Sequence, residues 1–148
     1  FYDGWQHSKL FPGTLDALGQ LHKVAKTMRL ITSRRHIDTT RREIRKLGLH
    51  TFFDEVFTRG DLAQAEGVET IPLLPFVPHR RRLIHLSLQG IDHQGDVWVA
   101  GDTPGELEAA KDLGFVTIGV LTGFAEREDL EPFAHHILDS IAEIGSLI

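Results

Sequence analysis

One acidic residue stands where α/β proteins commonly bind their ligands. The apolar run of residues 97–100 ends in Gly101 and Asp102, and a helical pattern begins directly behind it. Because polar residues do not alternate with the apolar ones, we predict a strand that is buried on both faces. Asp102 then lies at the carboxyl end of this strand, where open α/β sheets place ligands. A carboxylate beside a helix N-terminus suits a divalent cation or a phosphate site.

The residues that follow Asp102 have two interpretations. Residues 103–106 read Thr-Pro-Gly-Glu, which is a capping box with proline at the first helical position. Glu106 could therefore serve only to satisfy the amides at the helix end, or it could also act close to a cation held by Asp102. The sequence leaves both alternatives open. Asp102 itself precedes the cap, and no local donor requires a carboxylate there, which favours a functional role.

The elements that must position Asp102 alternate along the chain. The hydrophobic patterns predict helices over 14–26, 37–47, 80–88, 104–113 and 140–147, and strands over 28–32, 55–58, 97–100, 116–120 and 136–138. Residues 60–78 contain three prolines and are predicted to form a long loop. Strands that alternate with helices predict an α/β fold, a three-layer Rossmann-like parallel sheet with helices on both faces.

Composition narrows the classes of partner. The chain has 148 residues, the usual size of one domain, with a net charge of −5 and no cysteine. The negative charge argues against a nucleic-acid or acidic-membrane partner, and the lack of cysteine excludes thiolate catalysis and fits a cytoplasmic location. The glycine-rich motifs Gly-x-Gly-x-x-Gly and Gly-x4-Gly-Lys-Ser/Thr are missing, which argues against a nucleotide-binding domain.

Several segments, in order, resemble one family. Residues 101–106, Gly-Asp-Thr-Pro-Gly-Glu, followed by Glu-Ala-Ala at 108–110 and Gly114, resemble the fourth motif of haloacid dehalogenase-like phosphatases of the phosphoglycolate-phosphatase type. Residues 30–34, Leu-Ile-Thr-Ser-Arg, resemble the second motif, and residues 11–14 resemble the return from the cap domain to the core. The resemblance implies a haloacid dehalogenase-like α/β core over residues 11–148. Residues 1–10 would then be a remnant of the cap-to-core connection.

The resemblance also implies a function. A family member would be a Mg²⁺-dependent phosphatase of small phosphorylated metabolites that forms an aspartyl-phosphate. Asp102 would bind the metal, with Glu106 beside it, and Thr32 and Ser33 would bind the phosphate. The lysine of the third motif is missing. Arg80, expected to open a helix, is its best substitute for phosphate binding, with Arg81 and Arg82 close behind. Residues 79–82 could instead be only a solvated basic start of that helix.

One departure from the family is serious. The opening motif, an apolar strand that runs into Asp-x-Asp-Gly-Thr, is missing, and Asp3 has no partner aspartate two residues before it. We therefore expect no catalytic nucleophile in this chain, which would be part of a longer enzyme or need a missing N-terminal portion as its partner. The missing strand would lie between the strands ending at Thr32 and Asp102, so their edges would have to close up or remain unpaired. The alternative is a non-catalytic or fragmentary α/β module without turnover.

Overall fold

The computed structural model describes residues 8–92 and 96–148, so the aspartate at position 3 lies outside the described residues. Helices alternate with short strands along the chain. In order, the elements are α1 (Thr14–Val24), β1 (Arg29–Thr32), α2 (Ile37–Lys46), a 3-10 helix (Leu49–Thr51), β2 (Glu55–Thr58), α3 (Arg59–Glu66), α4 (Phe76–Leu88), β3 (Trp98–Gly101), α5 (Pro104–Asp112), β4 (Val116–Val120), α6 (Arg127–Leu130), β5 (His136–Leu138) and a second 3-10 helix (Ile141–Leu147).

The chain divides into two compact units. The first consists of the described residues up to Thr70 together with Ala142–Ile148. Its sheet has two parallel strands, β1 and β2, with Thr32 in register with Thr58. Its core consists of apolar side chains from α1, α2, the two strands and the segments that flank them: Leu18, Ile44 and Leu49, packed against Leu10, Leu21, Met28, Leu30, Leu47, Phe52, Phe53 and Val56.

The second unit, Ile71–Ile141, contains a three-stranded parallel sheet in the order β3-β4-β5. Helices α4 and α5 pack against each other, and α5 also packs on β3 and β4. Gly119 in β4 lies close to Leu107 of α5 and Leu130 of α6, and both leucines are fully buried. These contacts form an apolar layer between β4 and the helices α5 and α6.

The parallel α/β fold class is confirmed, and several boundaries match the sequence prediction. Strands β2, β4 and β5 have the predicted ends. Gly48 adopts the left-handed conformation (φ 77°) expected after α2. Among the described residues, however, the strands form two sheets rather than one, because β1 pairs only with β2 and β3 only with β4.

The predicted loop over residues 60–78 is wrong at both ends. Helix α3 occupies Arg59–Glu66, and a capping box starts it: the Thr58 hydroxyl accepts from the Asp61 amide, and the Thr58 amide donates to the Asp61 carboxylate. Helix α4 begins at Phe76 rather than at residue 80. Pro78 lies in its first turn, where the amide that proline lacks has no helical partner to lose.

Two further expectations need correction. Strand β3 is not buried on both faces, because Trp98 and Ala100 point to an open face while Val99 and Gly101 are partly covered. Trp98 is 39% exposed and stacks against His136 at a ring distance of 6.5 Å. The last predicted α-helix is a 3-10 helix. None of the described helices combines the length and the apolar character needed to cross a membrane.

Candidate functional site

Asp102 lies where the sequence places it, directly after the last residue of β3 and two residues before α5. The turn is short because the strand ends at Gly101 and the helix begins at Pro104. Carboxyl ends of parallel strands are the ligand-binding edge of α/β sheets. A carboxylate at this position is therefore available to a ligand at the edge of the three-stranded sheet.

Glu106 folds back and holds the turn. Its Oε1 accepts hydrogen bonds from the backbone amides of Asp102 (2.8 Å) and Thr103 (3.1 Å), and from the Thr103 hydroxyl (3.3 Å). The capping box predicted over residues 103–106 is thus present. Two amides at the end of the strand are satisfied by one carboxylate oxygen, which fixes the backbone on which Asp102 is carried.

Arg80 binds the other oxygen of Glu106. Its Nη2 lies 2.8 Å from Oε2, and both side chains are only 11% exposed. The guanidinium carbon also lies 5.3 Å from the centre of the Phe76 ring, a cation–π contact. Nε and Nη1 of Arg80 are buried without a hydrogen-bond partner among the described residues. Because α4 begins at Phe76, Arg80 lies inside the helix and does not open it.

Burial dominates the electrostatics of Glu106. Burial raises the pKa of this carboxyl above its ordinary value, Arg80 lowers it, and the neighbouring charge of Asp102 raises it again. Hydrogen bonds from Thr103 and Arg80 to the charged form act in the lowering direction. The pKa of Glu106 therefore depends on the charge of Arg80, which lowers it, and on the charge of Asp102, which raises it.

Three glycines lie so close to these side chains that a Cβ on any of them would overlap a neighbour. A Cβ built at Gly101 would overlap the Glu106 carboxylate, and a Cβ at Gly123 would overlap the carboxylate of Asp102. A Cβ at Gly105 would meet the ring of Phe76. Each glycine is thus explained by close packing around the turn, a reason separate from any chemistry that the turn performs.

The other two arginines of α4 face different surroundings. Arg81 is paired with Asp112 at the end of α5 (Nη2 to Oδ2, 2.5 Å), and both side chains are more exposed than those of the Arg80 pair. Arg82 is exposed. Of the two arginines expected to bind phosphate, Arg80 therefore joins the Asp102 turn, and Arg81 pairs at the other end of α5.

Thr32 and Ser33 belong to the first unit, at the carboxyl end of β1. The Thr32 hydroxyl accepts a hydrogen bond from the Arg34 amide (3.2 Å), and the Ser33 carbonyl accepts one from Nε of Arg59 (2.9 Å). Sequence reasoning missed Arg59, which it placed just before the loop. The Thr58-x-x-Asp61 spacing was the signal that would have put Arg59 at the start of a helix.

A divalent cation needs several oxygen ligands, and the described residues supply few. Among residues 8–92 and 96–148, no group of three or more His, Cys, Asp or Glu side chains could hold a metal ion. Asp102 is one candidate ligand, whereas both oxygens of Glu106 are committed to amides and to Arg80. The described residues therefore fit only part of a Mg²⁺ site.

Known proteins match this chain in sequence and in fold. Residues 78–144 match the family model described as HAD-hydrolase-like. A glyceraldehyde 3-phosphate phosphatase of Methanocaldococcus jannaschii is 26% identical over 139 residues, which are 93% of this chain and 56% of that protein. The chain therefore spans little more than half the length of this curated relative.

Solved structures with the same fold are also only partly covered. A haloacid dehalogenase-like family hydrolase from Streptococcus pneumoniae superimposes with a TM-score of 0.75 at 23% identity, covering 98% of this chain and 62% of that one. A HAD-hydrolase from Bacillus subtilis, described as bound to magnesium, gives a TM-score of 0.69 at 13% identity, covering 93% and 54%. At these identities the likeness establishes the fold.

Proposed function

Because the chain is haloacid dehalogenase-like in sequence and in fold, we propose that it belongs to a Mg²⁺-dependent phosphatase of small phosphorylated metabolites. The observation that carries this proposal is the position of Asp102. It lies at the carboxyl end of β3, in a turn fixed by Glu106 and Arg80, within the segment that matches the family model. The curated relative, a phosphatase of a three-carbon phosphate, supports the same class of substrate.

In the proposed site, some of the described residues would bind the metal ion and others would bind the phosphate. In this proposal, Asp102 is the metal ligand that the described residues supply, and Glu106 holds the turn rather than the ion. Thr32 and Ser33 supply donors to the phosphate. Of the two arginines expected to bind phosphate, Arg80 is the candidate cation, because its buried Nε and Nη1 atoms are donors that an anion would satisfy, whereas Arg81 is paired with Asp112.

The nucleophile would come from sequence outside this chain. Phosphoryl transfer through an aspartyl-phosphate needs an aspartate in line with the phosphorus, and the Asp-x-Asp motif is missing here. The Mg²⁺ ion, when bound, would offset charge on the phosphoryl oxygens. The residues of this chain orient that ion and the phosphate. Reading the coding sequence upstream of Phe1 tests this directly, because an apolar segment ending in Asp-x-Asp is expected there.

Hydrolysis of p-nitrophenyl phosphate with Mg²⁺ is the decisive assay. We expect no turnover by residues 1–148 alone, and turnover by a longer protein that carries the Asp-x-Asp segment. In that protein, Asp102→Asn should lower kcat and shift the Mg²⁺ titration to higher concentration, whereas Asp38→Asn, an exposed position on α2, should change neither. Turnover by residues 1–148 alone, or an unchanged Mg²⁺ titration in Asp102→Asn, would contradict the proposal.

A non-catalytic module is the second candidate. It is favoured by one observation: among the described residues, no group of three side chains could hold a metal. The same assay separates the two candidates. The non-catalytic candidate is supported if the upstream coding sequence lacks the aspartate pair and if none of the longer proteins tested turns over substrate.

A further inference from the structure

The ring of Phe76 lies beside the guanidinium of Arg80. Phe76 is the first residue of α4 and Arg80 follows four positions later, so the two side chains are neighbours on one face of the helix. The guanidinium carbon is 5.3 Å from the ring centre. The electron-rich face of a ring attracts a cation at this distance, and the attraction is stronger for a cation that is buried, as Arg80 is.

Helix α5 holds the ring in this position. A Cβ built at Gly105 would lie 2.5 Å from Cδ1 of Phe76, so the ring packs directly on the backbone of the first turn of α5. On its own helix, the ring meets the buried His79 ring edge to face, with the ring centres 5.1 Å apart. Phe76 is therefore fixed by both helices before it contacts Arg80.

The ring holds Arg80 without using its hydrogen-bond donors. Nη2 of Arg80 donates to Oε2 of Glu106, whereas Nε and Nη1 have no acceptor in the part of the chain that the structure describes. A second carboxylate in place of the ring would take these donors and cancel the charge. An aromatic face attracts the guanidinium through its quadrupole instead and leaves the donors for a ligand. Because buried donors without an acceptor are costly, an anion beside them would be stabilising.

We propose that Phe76 is a positioning residue, which holds the Arg80 guanidinium beside Glu106 so that Nε and Nη1 can donate to an oxyanion of the substrate. The inference rests on the function proposed above, in which Arg80 binds the phosphate. Phe76 would act through Arg80 and would not contact the reacting atoms. It would raise the fraction of molecules in which Arg80 already has the binding geometry, and the apparent affinity is proportional to that fraction.

Inorganic phosphate and the Nε–H signal of Arg80 test this inference without requiring turnover. Phosphate is titrated at low salt into isotope-labelled residues 1–148, and Arg80→Lys assigns the magnetic resonance signal by removing it. The informative change at position 76 is pentafluorophenylalanine, which nearly keeps the shape of phenylalanine but has a ring face that no longer attracts cations. We expect phosphate to shift the Arg80 signal, and the fluorinated ring to weaken phosphate binding by about threefold to tenfold.

Further variants separate positioning from space filling. Phe76→Leu keeps an apolar side chain without the ring and should weaken phosphate binding by a similar factor, whereas Phe76→Tyr keeps the ring and should retain most of the affinity. Pentafluorophenylalanine at the exposed Phe11 is the matched control and should leave the phosphate affinity unchanged. Thermal unfolding of each variant confirms that it is folded.

The possible outcomes separate this inference from the proposed function. An Arg80 signal that phosphate does not shift in the folded natural chain overturns the inference, and so does equal affinity of the natural chain and the folded fluorinated variant. If the fluorinated variant does not fold, equal affinity of Phe76→Tyr and Phe76→Leu overturns it. Ring-dependent phosphate binding without turnover by any of the longer proteins tested would leave the inference standing and remove the phosphatase proposal.

Discussion

Replacing Arg80 by methionine tests how the Asp102 turn is held. Methionine keeps an apolar stem of similar length and removes the charge, the bond to Glu106 and the contact with Phe76. Both members of the ion pair are 11% exposed, so the pair falls in the buried class rather than among surface salt bridges. Removing one partner of a buried pair costs about 3–5 kcal/mol of unfolding free energy, because the other charge is left without compensation.

The sign of the pH dependence follows from Glu106. Burial raises the pKa of Glu106 above its ordinary value of 4.5, and Arg80 is the largest influence that lowers it. A carboxyl with a raised pKa in the folded state contributes stability that is complete below the unfolded pKa and is lost as the pH rises through the folded pKa. Without Arg80 the folded pKa rises further. The deficit of Arg80→Met should therefore be largest near neutral pH and smallest below about pH 4.5.

Urea unfolding between pH 4 and pH 8 measures this deficit. The control is the double variant Arg80→Met with Glu106→Gln, in which the amide oxygen can still accept from Asp102 and Thr103 but carries no charge. We expect the double variant to recover a large part of the loss at neutral pH. A deficit of equal size at both ends of the pH range, or a double variant as unstable as the single one at pH 7, would refute the buried-pair interpretation.

Two further predictions concern packing and hydrogen bonding. Gly123→Ala forces a Cβ against the Asp102 side chain and should cost about 1–3 kcal/mol in urea unfolding. Adding Asp102→Ala should recover part of the loss, because it removes the carboxylate but keeps the Cβ of residue 102, which would lie 2.9 Å from the new methyl group. Thr117→Val removes a buried hydroxyl that donates to the Phe133 carbonyl (2.5 Å) and should cost about 1–3 kcal/mol. The matched change at the exposed Thr51 should cost less than about 0.5 kcal/mol, and equal losses at the two threonines would contradict the burial argument.

Much of the fold could be predicted from local patterns. Strands such as β4 are short apolar runs between a helix end and a turn, and such runs reveal their boundaries. The loop over 60–78 was predicted wrongly because Pro72, Pro75 and Pro78 were taken as helix breakers. Two of them stand at the N-cap or in the first turn of α4, where proline is tolerated. Burial on both faces of β3 could not be judged, because it depends on what covers the strand.

The candidate site was predicted in part. The position of Asp102 and the capping box at Glu106 follow from residue types and spacing alone, and the structure has both. The pairing of Arg80 with Glu106 joins positions 26 residues apart, and only the packing of α4 on α5 brings them together. The contact of Arg59 with Ser33 has the same character, since it joins the residues behind two neighbouring strands. Long-range contacts of this kind leave no periodic pattern in a sequence.

The glycines around the Asp102 turn separate two kinds of selection. Gly101 and Gly123 are required because a Cβ at either position would overlap a neighbouring side chain. A side chain placed there would therefore lower the unfolding free energy even in a protein that had lost all activity. Asparagine is nearly isosteric with aspartate, so packing alone would let position 102 drift. Among natural variants, glycine at 123 together with asparagine at 102 would therefore identify proteins that keep the packing of this turn without the carboxylate.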